Sequence, residues 1–451
     1  MPRTISVGIR WIFDMTARET ALNALIACRK DSAWSNAALK AEIARARLDR
    51  RDAALATRLC YGVLQNRGAL DFYLKQLLTG KLRDLHPAVR DILHLGLYQL
   101  LYLDKIPDAA AVNESVALTK QYCKHIPNAP ALVNAVLRSG VRQLDKLEQP
   151  KTLSDRYSHP ENLIQLFKGY LGEEKLENML RANNEAPETV IQVNTTKTTA
   201  DALAARLEQE GVSARKHSWM GNCLVLEGSG SIDKLESFRE GEFYVQDAAA
   251  RLAVDCAQLS GSGQLVIDCC AAPGGKSFAA AVAMGGKGKI ISSDLHEHRT
   301  QLIEKGALRL GFSNIKVAQR DASQPWQAME GKADVVIVDV PCSGYGIIRK
   351  KPDIRYKDPD TMKDLPQLQL AILENQSKLV KKGGTLIYAT CTLVRRENEG
   401  VVEKFLKSHP EFTLTPLPLP AVFPKDNTGM LRLLPGEYDT DGFFICRMER
   451  K

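Results

Sequence analysis

The sequence has ten cysteines, at positions 28, 60, 123, 223, 256, 269, 270, 342, 391 and 446, yet no Cys-x-x-Cys pair. That absence argues against a zinc ribbon or a thioredoxin-like redox site, and no metal is expected. Long apolar runs are missing as well. Val335 to Val338 is typical of the longest stretches, a buried-strand length far below the ~20 residues that span a bilayer. Arg3 and Arg10 are followed by no apolar run and small-residue cleavage site, so no secretory signal is expected and the implied address is cytoplasmic. In such a reducing compartment most of the thiols should be small buried hydrophobes. Beyond residue 150 there is no net charge, with 39 Lys/Arg against 39 Asp/Glu. Residues 1–150 hold 22 Lys/Arg against 14 Asp/Glu, so the whole excess of +8 sits there. A basic first third on a neutral remainder suits a module that faces nucleic acid, because phosphate neutralisation supplies most non-specific affinity.

What is present reads as three structured regions behind a short tail, residues 1–15. From 16 to 148 the pattern is all-helical: Leu70, Leu74, Leu77 and Leu78 recur at helical spacing, as do Val89, Leu93, Leu97 and Leu100. Breaks are expected at Thr79-Gly80, His86-Pro87 and Ile106-Pro107-Asp108. Gln149-Pro150 and Ser158-His159-Pro160 punctuate a linker. Residues 155–240 mix helical and strand patterns in a small α/β adaptor that carries no catalytic signature. From 241 to 451 strands and helices alternate: Leu265–Asp268, Lys289–Asp294, Ile315–Val317, Asp334–Asp339 and Thr385–Ala389 are short apolar runs between helical segments. That rhythm predicts a doubly wound, Rossmann-like parallel sheet covered on both faces, with Phe443–Met448 as a further edge strand.

Chemistry gathers at the carboxyl ends of these strands, where open α/β sheets bind ligands. Strand one runs into Cys270-Ala271-Ala272-Pro273-Gly274-Gly275-Lys276, a small-residue loop that lets the backbone approach a ligand at a helix N-terminus. It is not a P-loop, since Cys270 stands where the first glycine is required, and Gly261-x-Gly263 precedes a strand and lacks the third glycine of a dinucleotide loop. Asp294, Asp321 and Asp339 close the next three strands. Together with the loop they are best explained by one nucleoside-containing cofactor. Cys342 and Cys391 follow the ends of two neighbouring strands, which lie ~5 Å apart, so both thiols can face one cavity. A thiolate adding to C6 of a cytosine makes C5 nucleophilic towards a methyl sulfonium. Asp339 can hold the N3 edge of the ring, and a second thiol can serve as base or proton relay in releasing the product. The letters alone do not rank the two thiols. Lys276, Arg395 and Arg396 are the candidate cations for lowering a thiol pKa.

Two arginine- and lysine-rich stretches are candidate RNA contacts. Arg45, Arg47, Arg50 and Arg51 precede a helix, and Arg349, Lys350, Lys351, Arg355 and Lys357 lie between the two thiols beside Tyr356. Cations beside an aromatic can grip phosphates and stack a displaced base. Reaching C5 and C6 requires an unstacked cytosine.

Residues 16–148 resemble the NusB-like RNA-binding helical domain in Ala17–Leu22, Leu95–Leu100 and Ala131–Arg138. The tail has no counterpart there, which leaves Met1 or Met15 as the start. From about Thr16 to Met448 the chain resembles the RsmB (Sun/Fmu) family of bacterial 16S ribosomal RNA cytosine-C5 methyltransferases. The resemblance rests on Ala271–Lys276, Asp339-x-Pro341-Cys342-Ser343-Gly344 and Thr390-Cys391. It implies Cys391 as nucleophile, Cys342 in product release, and Cys270–Lys276, Asp294, Asp321 and Asp339 around S-adenosylmethionine. It also implies 16S RNA as substrate, free or in early assembly, and a monomer away from membranes. The same chemistry on transfer RNA or large-subunit RNA is the alternative within the enzyme class. A non-catalytic RNA-binding assembly factor is the alternative outside it. Departures from the family pattern are Ala248 after Gln246-Asp247, Val340, Tyr345 and Thr392; none removes a reacting group.

Overall fold

The structure is a computed structural model that describes residues 15–30, 35–228, 230–261, 263–425 and 427–451. The expected tail therefore lies, except for Met15, outside the described residues. The chain divides into two compact units. One comprises residues up to Gln165 together with Lys351–Tyr356, the other Leu166–Lys350 and Lys357–Lys451.

The first unit is helical: α1 (Ala17–Lys30), α2 (Ser35–Ala46), α3 (Arg50–Leu77), α4 (Pro87–Tyr102), α5 (Asp108–Tyr122), α6 (Ala129–Gln143) and α7 (Leu153–Tyr157). The expected breaks fall between α3 and α4 and between α4 and α5. Asp49 caps α3 by accepting from Asp52 N–H at 2.8 Å, while α4 opens with Pro87 where its missing N–H costs nothing. Leu70, Leu74 and Leu77 of α3 pack with Val89, Leu93 and Leu97 of α4 in one core. The linker expected around Ser158-His159 is instead packed: both residues are buried, and Ser158 Oγ accepts from Ala69 N–H at 3.0 Å.

In the second unit α8 (Glu161–Lys168), which the unit boundary crosses, and α9 (Glu173–Ala182) lead into the adaptor. This consists of β1 (Thr189–Val193), α10 (Ala200–Gln209), β2 (Ser213–Lys216), β3 (Cys223–Glu227), α11 (Glu236–Arg239) and β4 (Phe243–Val245). Its antiparallel sheet has the order β2-β3-β1-β4. There follow α12 (Ala248–Asp255), β5 (Leu265–Cys269), α13 (Gly275–Ala283), β6 (Lys289–Asp294), α14 (Glu297–Leu310), β7 (Ile315–Gln319) and β8 (Ala333–Asp339). The last elements are α15 (Leu365–Ser377), β9 (Val380–Thr390), α16 (Glu399–Ser408), β10 (Phe412–Leu414), β11 (Met430–Leu433) and β12 (Phe443–Arg450).

These strands form one sheet of order β10-β12-β9-β8-β5-β6-β7, with β11 also paired to β12. Strands β5 to β9 are parallel. Alternation splits the core between the two faces: Val335 and Ile337 go to one side and Val336 and Val338 to the other. The closing strand is not an edge as expected. It runs antiparallel to β9 from Phe444↔Thr390 to Glu449↔Thr385 and is flanked on its other side by β10 and β11. Those two partners are only three and four residues long, too short to stand out as strands in the sequence.

Candidate active site

The register of the central strands places the two thiols. Asp339, the last residue of β8, lies opposite Ala389 of β9, so Cys342 and Cys391 leave the sheet side by side. Their sulfurs are 3.3 Å apart. The loop after Cys342 is drawn back over Cys391, with Gly346 N–H donating to Cys391 O at 2.9 Å and Gly442 N–H to Gly346 O at 2.8 Å. A Cβ at Gly346 would lie 2.0 Å from Gly442 O and 2.8 Å from Cys391 O, so only glycine permits this approach.

Cys342 is held as a thiol. Its hydrogen bond to Cys391, burial and the charges of Cys391, Glu397 and Asp339 all push its pKa well above the usual range. Lys276 Nζ donates to Asp339 Oδ2 at 2.6 Å and stands over the Phe443 ring. Burial works against its charge, but Asp339 more than offsets this, with help from Asp268 and Cys391, and Lys276 stays above its ordinary value. Of the three cations expected to act on a thiol, Lys276 carries a charge that couples to Cys391. Arg395 pairs with Glu403, and Arg396 donates to Pro359 O.

The loop between β5 and α13 is tied to β6. Ala271 N–H donates to Ser293 O at 2.8 Å and Ala272 N–H to Asp294 Oδ2 at 3.1 Å. Arg299 reaches from α14 to Asp294 and to Ala272 O. Gly274 has φ +110° and leaves no room for a Cβ, which would meet the Phe278 ring at 2.4 Å. Asp268 is fully buried. Its Oδ2 accepts from Ser277 Oγ at 2.6 Å, and its Oδ1 has no hydrogen-bond partner. Burial pushes its carboxyl up to about 7 against the pull of Ser277. Burial likewise drives the Cys270 thiol up to about 12, which leaves it as lining rather than as a nucleophile. Asp321 is exposed and accepts from Ser323 N–H and Oγ at 2.8 and 2.7 Å, which lowers its pKa.

The candidate RNA residues separate into two groups. Arg45, Arg47, Arg50 and Arg51 are all exposed, with Arg45 paired to Glu42. The stretch after Cys342 is a correction. Arg349 is buried and bonded to Asp441 at 3.0 Å, and Lys350 bridges Asp247 at 3.0 Å and Asp441 at 2.6 Å. Arg355 is buried within the helical unit and donates to Gln65 O at 2.9 Å and to Tyr157 O and Ser158 O at 3.4 Å. Arg349 and Arg355 are buried and the half-buried Lys350 is held by two carboxylates, so all three cations are engaged within the protein. Lys351 and Lys357 are half-buried.

Sequence reasoning missed Gln369, Glu397 and Asn398, all fully buried. Each bonds to a residue beside one of the thiols. Nothing in the letters distinguished them from surface residues.

Three families match consecutive stretches: "NusB family" over residues 15–142, "Methyltr_RsmF/B-like, ferredoxin-like domain" over 159–233 and "16S rRNA methyltransferase RsmB/F" over 259–449. A probable ribosomal RNA small subunit methyltransferase B of Bacillus subtilis is 38% identical over 447 residues, 97% of this chain and 99% of the relative. The chain belongs to the ribosomal RNA small subunit methyltransferase B family. A ribosomal RNA small subunit methyltransferase B of Escherichia coli O1:K1 is 34% identical over 89% of this chain and 91% of its own length. The solved structure titled "Crystal Structure of PH0851" matches with a TM-score of 0.80 at 27% identity, covering 96% of this chain and 98% of its own. As a member of this family the chain is an S-adenosylmethionine-dependent RNA methyltransferase. No helix among the described residues is long and apolar enough to cross a membrane.

Proposed function

We propose that the protein transfers a methyl group from S-adenosylmethionine to C5 of a cytosine in 16S ribosomal RNA, through a covalent bond between Cys391 and C6. The observation that carries this reading is the pair of sulfurs 3.3 Å apart at the ends of β8 and β9. The residues around the first loop fit the cofactor. Small residues keep the loop backbone free of side-chain bulk before α13, Asp268 offers a buried oxygen without a partner, and Asp294 and Asp321 stand at or just after successive strand ends. Cys270–Lys276, Asp294, Asp321 and Asp339 would hold S-adenosylmethionine, which supplies a methyl group on a sulfonium.

Cys342 keeps its proton beside Glu397 and Asp339 and can donate its S–H to Cys391, which favours Cys391 as the sulfur that attacks. The Cys391 sulfur bonds to C6, and the displaced electron pair makes C5 the nucleophile. Lys276 and Asp339 present a donor and an acceptor side by side for the cytosine edge. Once Cys391 is bonded to C6, Cys342 gives up its own proton to water, and after methylation it takes the C5 proton. The electron pair re-forms the C5–C6 double bond, and the Cys391–C6 bond breaks. The enzyme is read as a cytoplasmic monomer that acts on free or early-assembly RNA.

Labelled S-adenosylmethionine with unmodified 16S RNA tests the reading. Wild type is expected to form 5-methylcytosine, Cys391→Ala none, and Cys342→Ala a covalent protein–RNA adduct on a denaturing gel. Full activity of Cys391→Ala would sink the mechanism. Activity on transfer RNA or large-subunit RNA alone would overturn the substrate and leave the chemistry standing.

A further inference from the structure

The two thiols sit on turns, and each turn is held by one of two residues adjacent in sequence. Asn398 Oδ1 accepts from Thr390 Oγ1 at 2.6 Å and its Nδ2 donates to Thr392 O at 3.0 Å, bracketing Cys391 on both sides. Glu397 Oε2 accepts from Ser343 N–H at 2.9 Å and from Gln369 Nε2 at 3.0 Å. Gln369 Nε2 also donates to Pro341 O at 3.0 Å, so this pair brackets Cys342 in the same way. The turns are joined directly by Ser343 Oγ and Thr392 Oγ1, 2.7 Å apart. Glu397 is anchored in turn by Tyr388 Oη, which donates to its carbonyl at 2.6 Å.

A fold alone has little reason to place a carboxylate here. Glu397 is fully buried, makes no ion pair among the described residues, and leaves Oε1 without a hydrogen bond. Burying such a group without a paired cation is costly, so its presence here points to a use. Its charge falls on Cys342, whose proton it helps to retain.

On the two-thiol reading above, we infer that Glu397 and Asn398 are positioning residues with separate duties. Asn398 sets the turn of the attacking thiol, while Glu397 with Gln369 sets the turn of the releasing thiol. Neighbouring residues should therefore fail at opposite ends of the reaction.

The test is a single-turnover assay with labelled S-adenosylmethionine and unmodified 16S RNA, followed by a denaturing gel and by 5-methylcytosine formation. Cofactor binding to each variant serves as the check on folding. Asn398→Ala should slow methyl transfer by about 10- to 100-fold, the usual scale for a displaced reacting group, with no adduct accumulating. Glu397→Ala should still transfer the methyl but release product about 10- to 100-fold more slowly, so that adduct builds up as in Cys342→Ala. Gln369→Met, which keeps the side-chain length, should do the same and carries the test if Glu397→Ala does not fold. Glu397→Gln keeps an oxygen for Ser343 N–H and Gln369 and should restore release.

The inference fails if the Asn398 variant and the Glu397 or Gln369 variants lose both steps alike, or if Glu397→Gln is as impaired as Glu397→Ala. Should Cys342→Ala itself trap no adduct, the two-thiol reading fails and takes the inference with it.

Discussion

The buried carboxyl of Asp268 shows how a single residue ties the site to pH. Its ordinary value of 3.8 rises to about 7 in the folded protein, chiefly through burial. Below pH 3.8 it is protonated folded or unfolded and makes no difference. Between about 4 and 7 the unfolded chain binds fewer protons than the folded one, so this group's contribution to stability falls as pH rises and levels off above 7. A shift of this size corresponds to on the order of 4 kcal/mol. Asp268→Asn keeps an acceptor for Ser277 and removes the ionisation. The cofactor-free variant should lose less melting temperature between pH 5 and pH 8 than wild type; equal losses would show that Asp268 does not titrate in this window. At this scale the sequence revealed residues that end strands, because strand ends can be counted. Cys342, Cys391, Asp294 and Asp339 were legible for that reason, whereas Gln369, Glu397 and Asn398 were not, since their importance lies in which backbone groups they meet.

Among the elements, periodicity located the parallel strands, and turn chemistry located the helix breaks. Alternation in β8 and the apolar spacing of α3 and α4 report burial directly. The expectation for β12 went astray because edge or interior depends on partners as short as β10 and β11. The segment Lys351–Tyr356 misled for a different reason: a count of cations does not say which of them are already satisfied. Within the helical unit Arg355 bonds to three carbonyls, Tyr356 Oη donates to Leu64 O at 2.8 Å, and Arg67 lies 5.3 Å over the Tyr356 ring. Burial draws even this guanidinium down to about 10. Arg355→Ala would strip three carbonyls of a donor and leave a cavity, at a cost of about 2–5 kcal/mol. Denaturant unfolding of the full chain should show the helical unit melting earlier. An unchanged transition would mean that the segment contributes nothing to that unit's stability.

For the whole molecule, charge is distributed by region. All of the net +8 belongs to residues 1–150, and Arg45, Arg47, Arg50 and Arg51 are exposed there, between the end of α2 and the start of α3. Asp49 and Asp52 lie among them, but Asp49 is engaged in capping α3, and Glu42 offsets only Arg45. The remaining three arginines have no such neutraliser among the ion pairs of the described residues. If this turn meets RNA, each phosphate contact should add about −0.7 to the slope of log affinity against log salt for a single strand. Changing all four arginines to Gln should then weaken binding at low salt and reduce the magnitude of the slope by about 2 to 3. Filter binding of unmodified 16S RNA across a salt series measures both quantities. A variant that binds more weakly with the slope intact would indicate a disturbed fold rather than lost phosphates. A variant with both unchanged would place the RNA on another face, and the excess charge of this region would then reflect solubility alone.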